Sequence, residues 1–267
     1  MRTATDVAAG PDYAIRIVTC HDDHTRWSPA ETRDEYNLVL AQRGRFRRRA
    51  GGVCADIDPT LGYVGTPGEQ EHFAHPSGGD LCTWINLRPT LWDTLAGDAP
   101  LAGSTFYVDA RTELTHRRML AAARAGDGLQ QTLLELFDDV LGQIHTRPTP
   151  ADVAAHDTDR AIVSAAREAI HAGHPAAHAL FPLAALLAVS PFRLSRAFSR
   201  QMGVSVTRYR NRVRVSRALQ RLEQGDTSLA LLAVDLGFAD QAHLSRTVRQ
   251  HLGHTPTALR RLLHGSD

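Results

Sequence analysis

Lysine is absent from this chain: every one of its 30 Lys+Arg residues is arginine. Arginine is the better fork for phosphate and the better reader of guanine. Genomic GC bias produces the same exchange, and the chain is also rich in alanine and leucine. Cysteine is scarce. Cys20, Cys54 and Cys82 are too few and too scattered for the disulfide framework of a small secreted protein. No apolar run approaches the ~20 residues that span a bilayer. The opening stretch, MRTATDVAAGPD, has no apolar core of a signal peptide. These absences predict a cytoplasmic protein without a membrane partner. No nucleophile–base constellation stands out either, which argues against an enzyme.

What is present falls into two halves. The 267 residues suffice for one large domain or two ordinary ones. The net charge of +1 conceals a division. Residues 160–267 hold fifteen arginines against six acidic residues, a net of +9. Residues 1–159 hold fifteen arginines against 23 acidic residues, a net of −8. A basic half beside an acidic half predicts a polyanionic partner for the basic half alone.

The acidic half reads as β and then helix. Residues 1–12 read as a loose tail. Tyr13–Cys20, Tyr36–Ala41, Arg45–Arg49, Val53–Ile57 and Leu81–Leu87 read as short strands, separated by Gly and Pro turns. Short strands at close spacing predict a sandwich or small barrel. From Arg111 the period changes to that of helices. Leu129, Leu133, Leu136, Phe137, Val140, Leu141 and Ile144 share one helical face. The same spacing serves packing on the sheet or a dimer seam, so a homodimer stays open. Prolines and polar residues mark 146–157 as a linker, which sets a sensor domain at 13–145 and an all-helical domain at 158–267.

The basic half contains an internal repeat. Ser190–Gly203 reads SPFRLSRAFSRQMG, and Asp240–Gly253 reads DQAHLSRTVRQHLG. Leu180, Leu183 and Ala184 return upstream as Leu229, Leu232 and Ala233. Each copy reads as helix, turn, cap and basic second helix. Ser190 and Asp240 are good N-caps, and Pro191 suits a first helical position. Gly203 and Gly253 suit the left-handed ends. Between the copies, Val206–Gln224 reads as one long helix capped by Ser205, and Gly225-Asp226-Thr227 reads as its end and the cap of the next helix. A rod of that length, roughly 28 Å, can hold two recognition helices about one DNA turn apart.

These residues resemble the DNA-binding domain of the AraC/XylS family of transcription regulators. The match runs through Leu183-Ala184, Ser190, Leu194, Arg196, Phe198, Gly203, Ser205, Tyr209, Arg214, Ala218, Leu222, Leu232-Ala233, Gly237-Phe238, Arg246, Gly253 and Pro256. It departs at Leu244 and Val248, where the family usually places aromatics. The resemblance implies a sequence-specific regulator that binds double-stranded DNA and contacts RNA polymerase. It places base readers at Phe192, Ser195 and Arg196, and again at Gln241, Ala242 and Arg246. Ala242 lacks a hydrogen-bonding group, so His243 is a further candidate. Arg193, Arg200 and Arg249 are candidates for phosphate contacts. The expected fold is therefore multidomain, β then all-α: a cupin-like β-barrel with two helices, then a double helix-turn-helix.

The barrel half, by the same resemblance, senses a small-molecule or ion effector. The match there is looser, through Tyr36–Ala41, Gly44, Phe46, Asp58-Pro59 and Pro67-Gly68-Glu69 with His72. Cys20, His21 and His24 cluster at one strand end, and His72, His75 and Cys82 follow later. A set of Cys20, His24, His72 and Cys82 suits zinc or iron chemically. The HxH pair of cupin enzymes is missing, and residues three apart on a strand face opposite sides. Ordinary polar and core residues at a barrel mouth, a metal sensor, and a Cys20–Cys82 redox switch all stay open. So does a metal-dependent cupin enzyme with a DNA-binding tail. The run Arg43, Arg45, Arg47, Arg48 and Arg49 reads either as a solvated edge strand guarded by charge or as a site for an anionic effector or flanking DNA.

Overall fold

The structure, a computed structural model, describes residues 2–21, 24–97, 105–146, 157–225 and 228–264. The chain forms two compact units. The first comprises residues 1–108, 123–128 and 137–154; the second comprises 109–122, 129–136 and 155–267. The expected linker lies outside the described residues except at its ends.

The first unit is antiparallel β. Its strands are β1 (Arg2–Ala9), β2 (Tyr13–Cys20), β3 (Tyr36–Arg43), β4 (Phe46–Ala50), β5 (Val53–Ile57), β6 (Leu61–Gly65), β7 (Glu71–Ala74), β8 (Asp80–Leu87) and β9 (Thr105–Tyr107). They form a six-stranded sheet, β1-β2-β8-β3-β6-β9, and a three-stranded sheet, β5-β4-β7. A short helix, α1 (Pro89–Ala96), follows β8. The inner core holds Ile15, Leu38, Leu40, Tyr63, Val64 and Ile85, all buried. Gly51 and Gly52, both at positive φ, make the two-residue hairpin that sets Ala50 opposite Val53.

Two expectations are corrected here. Residues 1–12 are no loose tail. Residues 2–9 pair with β2 from Arg2 opposite Cys20 to Ala9 opposite Ala14. The strand lies at a sheet edge with nearly every side chain exposed, so it lacks the apolar alternation that betrays a half-buried strand. The arginine run is no edge strand either. β4 is the middle strand of its sheet, and its arginines are matched internally. Arg48 is buried between Glu71 (2.5 Å) and Glu69 (2.7 Å). Arg47 meets Asp56 at 3.4 Å, and the Arg49 guanidinium lies 4.8 Å from the centre of the Trp27 ring.

The second unit is helical. It takes in most of α2 (Ala110–Ala125), up to Ala122, and the first half of α3 (Leu129–Thr146). Then come α4 (Asp157–His171), a short 3-10 turn at Pro175–His178, α5 (Leu180–Leu186), α6 (Pro191–Met202), α7 (Val206–Glu223), α8 (Leu229–Asp235), α9 (Gln241–Leu252) and α10 (Pro256–His264). One core joins Val215, Leu219 and Leu222 of α7 to Leu232, Phe238, Leu244, Val248 and Leu252, and it includes Ala110 and Leu114 of α2. Leu244 and Val248 are fully buried there, so the smaller apolar residues fill their sites. The start of α2 thus packs in this unit, an arrangement its apolar spacing did not reveal. Among the described residues no single helix is long and apolar enough to cross a membrane.

Candidate functional site

The two halves of the repeat fold alike, down to single side chains. The α5 and α6 axes differ by 96°, within the range of a helix-turn-helix. Ser190 accepts the Arg193 N–H at 3.2 Å, and Pro191 follows where a missing N–H costs nothing. Asp240 accepts the His243 N–H at 2.6 Å in the second copy. Gly203 and Gly253 end the two helices at φ 66° and 74°. Leu194, Ala197, Phe198 and Met202 are buried in α6; Leu244, Thr247, Val248 and Leu252 are buried at the same steps of α9. Ser205 caps the rod α7 and Ser228 caps α8. The cap expected at Asp226-Thr227 lies outside the described residues.

The side chains left outside this buried stripe include the residues expected from the sequence to contact DNA. Phe192 is 78% exposed at the start of α6, an unusual position for so large an apolar group. Arg196 is exposed, as are Gln241, Ala242, Arg246 and Arg249 of α9. No carboxylate pairs with Arg196, Arg246 or Arg249 among the described residues. Ser195 is half-buried. The remaining candidates are partly engaged. Arg193 binds Asp159 of α4 through Nε and Nη2, each at 3.1 Å, and Arg200 reaches the same carboxylate at 3.8 Å. His243 accepts the Ala239 N–H on Nδ1 at 3.3 Å and packs edge-on against Phe238. Its Nδ1 is therefore used in the turn, which leaves Nε2 as the nitrogen that carries the proton.

Several basic residues of α7 serve the fold instead. Arg210 donates to the carbonyl of His178, Arg217 donates to that of His171 at 2.6 Å, and the Arg214 guanidinium lies 5.6 Å from the centre of the Phe238 ring. Arg212 is only 1% exposed and meets Glu113 of α2 at 2.7 Å. Glu113 also accepts from Arg117 (2.8 Å) and Ser216 (2.8 Å). Burial works to raise the Glu113 pKa, but the guanidiniums of Arg212 and Arg117 outweigh it and hold the group below the usual carboxylate range.

The β unit contains a cavity of about 150 Å³. Its wall combines apolar Val18, Phe46, Phe73 and Trp84 with Cys20, His24, His75, Asp80 and Cys82. Strand parity selects these residues. Phe73 and His75 lie two apart and line the cavity, whereas His72 faces away and donates from Nδ1 to the Ser28 carbonyl at 2.9 Å. Cys20 stands opposite Asp80, and Val18 opposite Cys82, in the β2–β8 ladder. Gly79 holds that end tight, since a Cβ there would lie 2.2 Å from the Cys20 carbonyl oxygen. Ligand atoms of Cys20, His75 and Asp80 lie within 4.8 Å of one another. His21 is exposed and does not line the cavity.

The set of Cys20, His24, His72 and Cys82 is thus brought together only in part. Asp80 was missing from it, although Asp80-x-Cys82 on a strand signals two side chains on one face. Burial pushes the Cys82 thiol well up, and the neighbouring Asp80 carboxylate, which accepts its hydrogen at 3.1 Å, adds to this. None of the three cysteines is in a disulfide. A redox switch needs an accessible, low-pKa thiol, and Cys82 is the opposite.

Known proteins match the chain in the same regions. The family model of a helix-turn-helix domain matches residues 183–262. The arabinose operon regulatory protein of Escherichia coli is 27% identical over 238 residues, which cover 84% of this chain and 79% of that protein. Its Salmonella typhimurium counterpart is 26% identical over 206 residues, covering 73% and 72%. The HTH-type transcriptional activator RhaS of Pectobacterium carotovorum is 36% identical over 67 residues, 25% of this chain and 24% of that protein.

Proposed function

The chain is a sequence-specific, DNA-binding transcription regulator of the AraC/XylS family, and from that premise we propose that α6 and α9 read two short motifs on one face of the duplex, under the control of an effector held in the β unit. The observation that carries this reading is that the two helices share side-chain caps, left-handed glycine ends and the same steps of the buried stripe. The rod between them, 18 residues long, spans roughly 27 Å, which suits recognition helices about one DNA turn apart.

Residue roles follow from what each side chain is free to do. Arg196 and Arg246 read guanine through paired donors, Gln241 reads adenine, and Phe192 meets a thymine methyl. Arg249 contacts phosphate. Arg193 and Arg200 first have to leave Asp159, so they position rather than specify. The effector acts by binding one arrangement of the protein better than another, and can shift the balance only by that difference. Nothing in the site calls for turnover of a substrate, so the proposed role is regulation without catalysis. RNA polymerase is the proposed protein partner.

The test begins with selection of binding sites from randomised DNA by the purified protein at near-physiological salt. Two short motifs about one turn apart are expected. On the selected site, Arg196→Ala and Arg246→Ala should each weaken binding by roughly 5- to 150-fold, the equivalent of about 1–3 kcal/mol. Binding to random DNA should change little. Equal losses on both DNAs in a gel-shift titration would make these residues phosphate clamps and remove them from the reading.

A further inference from the structure

Two polar atoms in the wall of the β-unit cavity are buried without a hydrogen-bond partner among the described residues: His75 Nδ1 and Asp80 Oδ1. His75 Nε2 lies 3.1 Å from Asp80 Oδ1, but this contact is not aligned as a hydrogen bond. Buried polar atoms are nearly always satisfied, and an orphan marks strain, water or an ion. These two stand beside the Cys20 sulfur, in a group whose ligand atoms all lie within 4.8 Å. A tetrahedral zinc, with bonds of about 2.0–2.3 Å, sets its ligands roughly 3.5 Å apart. Small side-chain rotations close that difference.

We infer that Cys20, His75 and Asp80 bind a divalent zinc-class ion, with a fourth position open to the cavity. The donor set is one thiolate, one imidazole and one carboxylate, which zinc accepts and which calcium and magnesium do not favour. Cys82 orients the site without joining it. Its thiol donates to Asp80 Oδ2, which leaves Oδ1 as the oxygen to meet the metal, as a second-shell partner does. His24 stands at the rim. Its Nδ1 lies 2.8 Å from the Arg26 carbonyl, so its proton sits there and Nε2 keeps a lone pair; the His24 and His75 rings are 5.7 Å apart.

The site differs from the HxH arrangement of cupin enzymes. It is assembled by register, from the end of β2, the residue after β7 and the start of β8. The cavity has room for a small molecule beside the ion, since a water occupies about 30 Å³. A ligand with a thiol, carboxylate or imidazole group could take the open position. The inference that this ion is what the regulator responds to rests on the effector reading above; the inference that it binds does not.

The test uses the full chain, purified tag-free under reducing conditions without chelator. Metal analysis should find about one equivalent of zinc, and Co²⁺ added to the stripped protein should give sulfur-to-cobalt charge-transfer absorption. Cys20→Ser and His75→Ala should lose both signals, with circular dichroism reporting that each variant is folded. Cys54→Ser, at an exposed thiol remote from the cavity wall, should keep them, and Cys82→Ala should bind zinc about 10- to 100-fold more weakly. Zinc well under one equivalent without cobalt charge transfer, zinc retained by Cys20→Ser and His75→Ala, or a Cys20–Cys82 disulfide in its place would overturn the site. Affinity for the selected DNA with and without zinc separates the two readings. Zinc that binds but leaves DNA affinity unchanged upholds the site and overturns its role as effector.

Discussion

Replacing Glu113 with alanine is expected to destabilise the helical unit by about 3–5 kcal/mol, the usual cost of breaking a buried ion pair from one side. Glu113 lies 2.7 Å from Arg212, and Arg212 is 1% exposed. Removing Glu113 takes a carboxylate away from that buried guanidinium. The contact at 2.7 Å is an ion contact more than an aligned hydrogen bond, so the loss is mostly one of charge compensation. Arg117 keeps Glu223 as a second carboxylate and loses less. The Ser216 hydroxyl loses its acceptor as well. In thermal unfolding the midpoint should fall by about 10 °C or more. The control is Arg118→Ala, which removes a half-exposed pair with Glu135 and should cost no more than about 1 kcal/mol. A double variant, Glu113→Leu with Arg212→Met, should recover much of the loss, because replacing both charges by apolar groups is often neutral. A loss below about 1 kcal/mol for Glu113→Ala would mean that the carboxylate is not holding a buried charge.

That network was invisible in the sequence, and the reason is general. The caps were legible because they are local: Ser190, Ser205 and Asp240 bond to a backbone N–H three residues on. The left-handed ends at Gly203 and Gly253 were legible for the same cause. The exposed faces of α6 and α9 followed from helical periodicity once both ends were fixed. Glu113 and Arg212 are 99 positions apart, and no local rule pairs them. The apolar spacing of α2 was equally silent about its partner, since Ala110 and Leu114 would look the same against a sheet, a second chain or α7. In the β unit the central strands declared themselves, but β1 exposes nearly all its side chains, β6 buries all of its own, and neither alternates. The metal candidates were legible as residue types and not as a set. Parity on the strands decides which histidine faces the cavity, and the β2–β8 register brings Asp80 opposite Cys20. Both depend on pairings between distant segments.

Acid should unfold the helical unit early, and His116 is the principal cause. Its pKa is lowered from 6.5 to about 4, by burial first and then by the positive charge of Arg117, with Glu113 opposing them. The folded state therefore holds a neutral imidazole, while the unfolded chain takes up a proton near the ordinary value. Protonation favours unfolding. The contribution is fully present above about pH 6.5 and is lost as pH falls from there through about 4. A shift of that size corresponds to about 3 kcal/mol, a large part of a marginal domain's stability. Glu113 adds a second loss at lower pH, because its depressed pKa stabilises the fold above the usual carboxylate range and ceases to as pH falls through the folded value. Urea unfolding at a series of pH values should show stability falling steeply between pH 6.5 and 4. His116→Gln, which cannot take up the proton, should flatten that slope whatever its effect at neutral pH. Some slope should survive from His251, whose pKa is lowered by burial first and then by Arg208 and Arg212. If His116→Gln lost stability over that interval as steeply as the parent, the buried imidazole would not be the group that titrates.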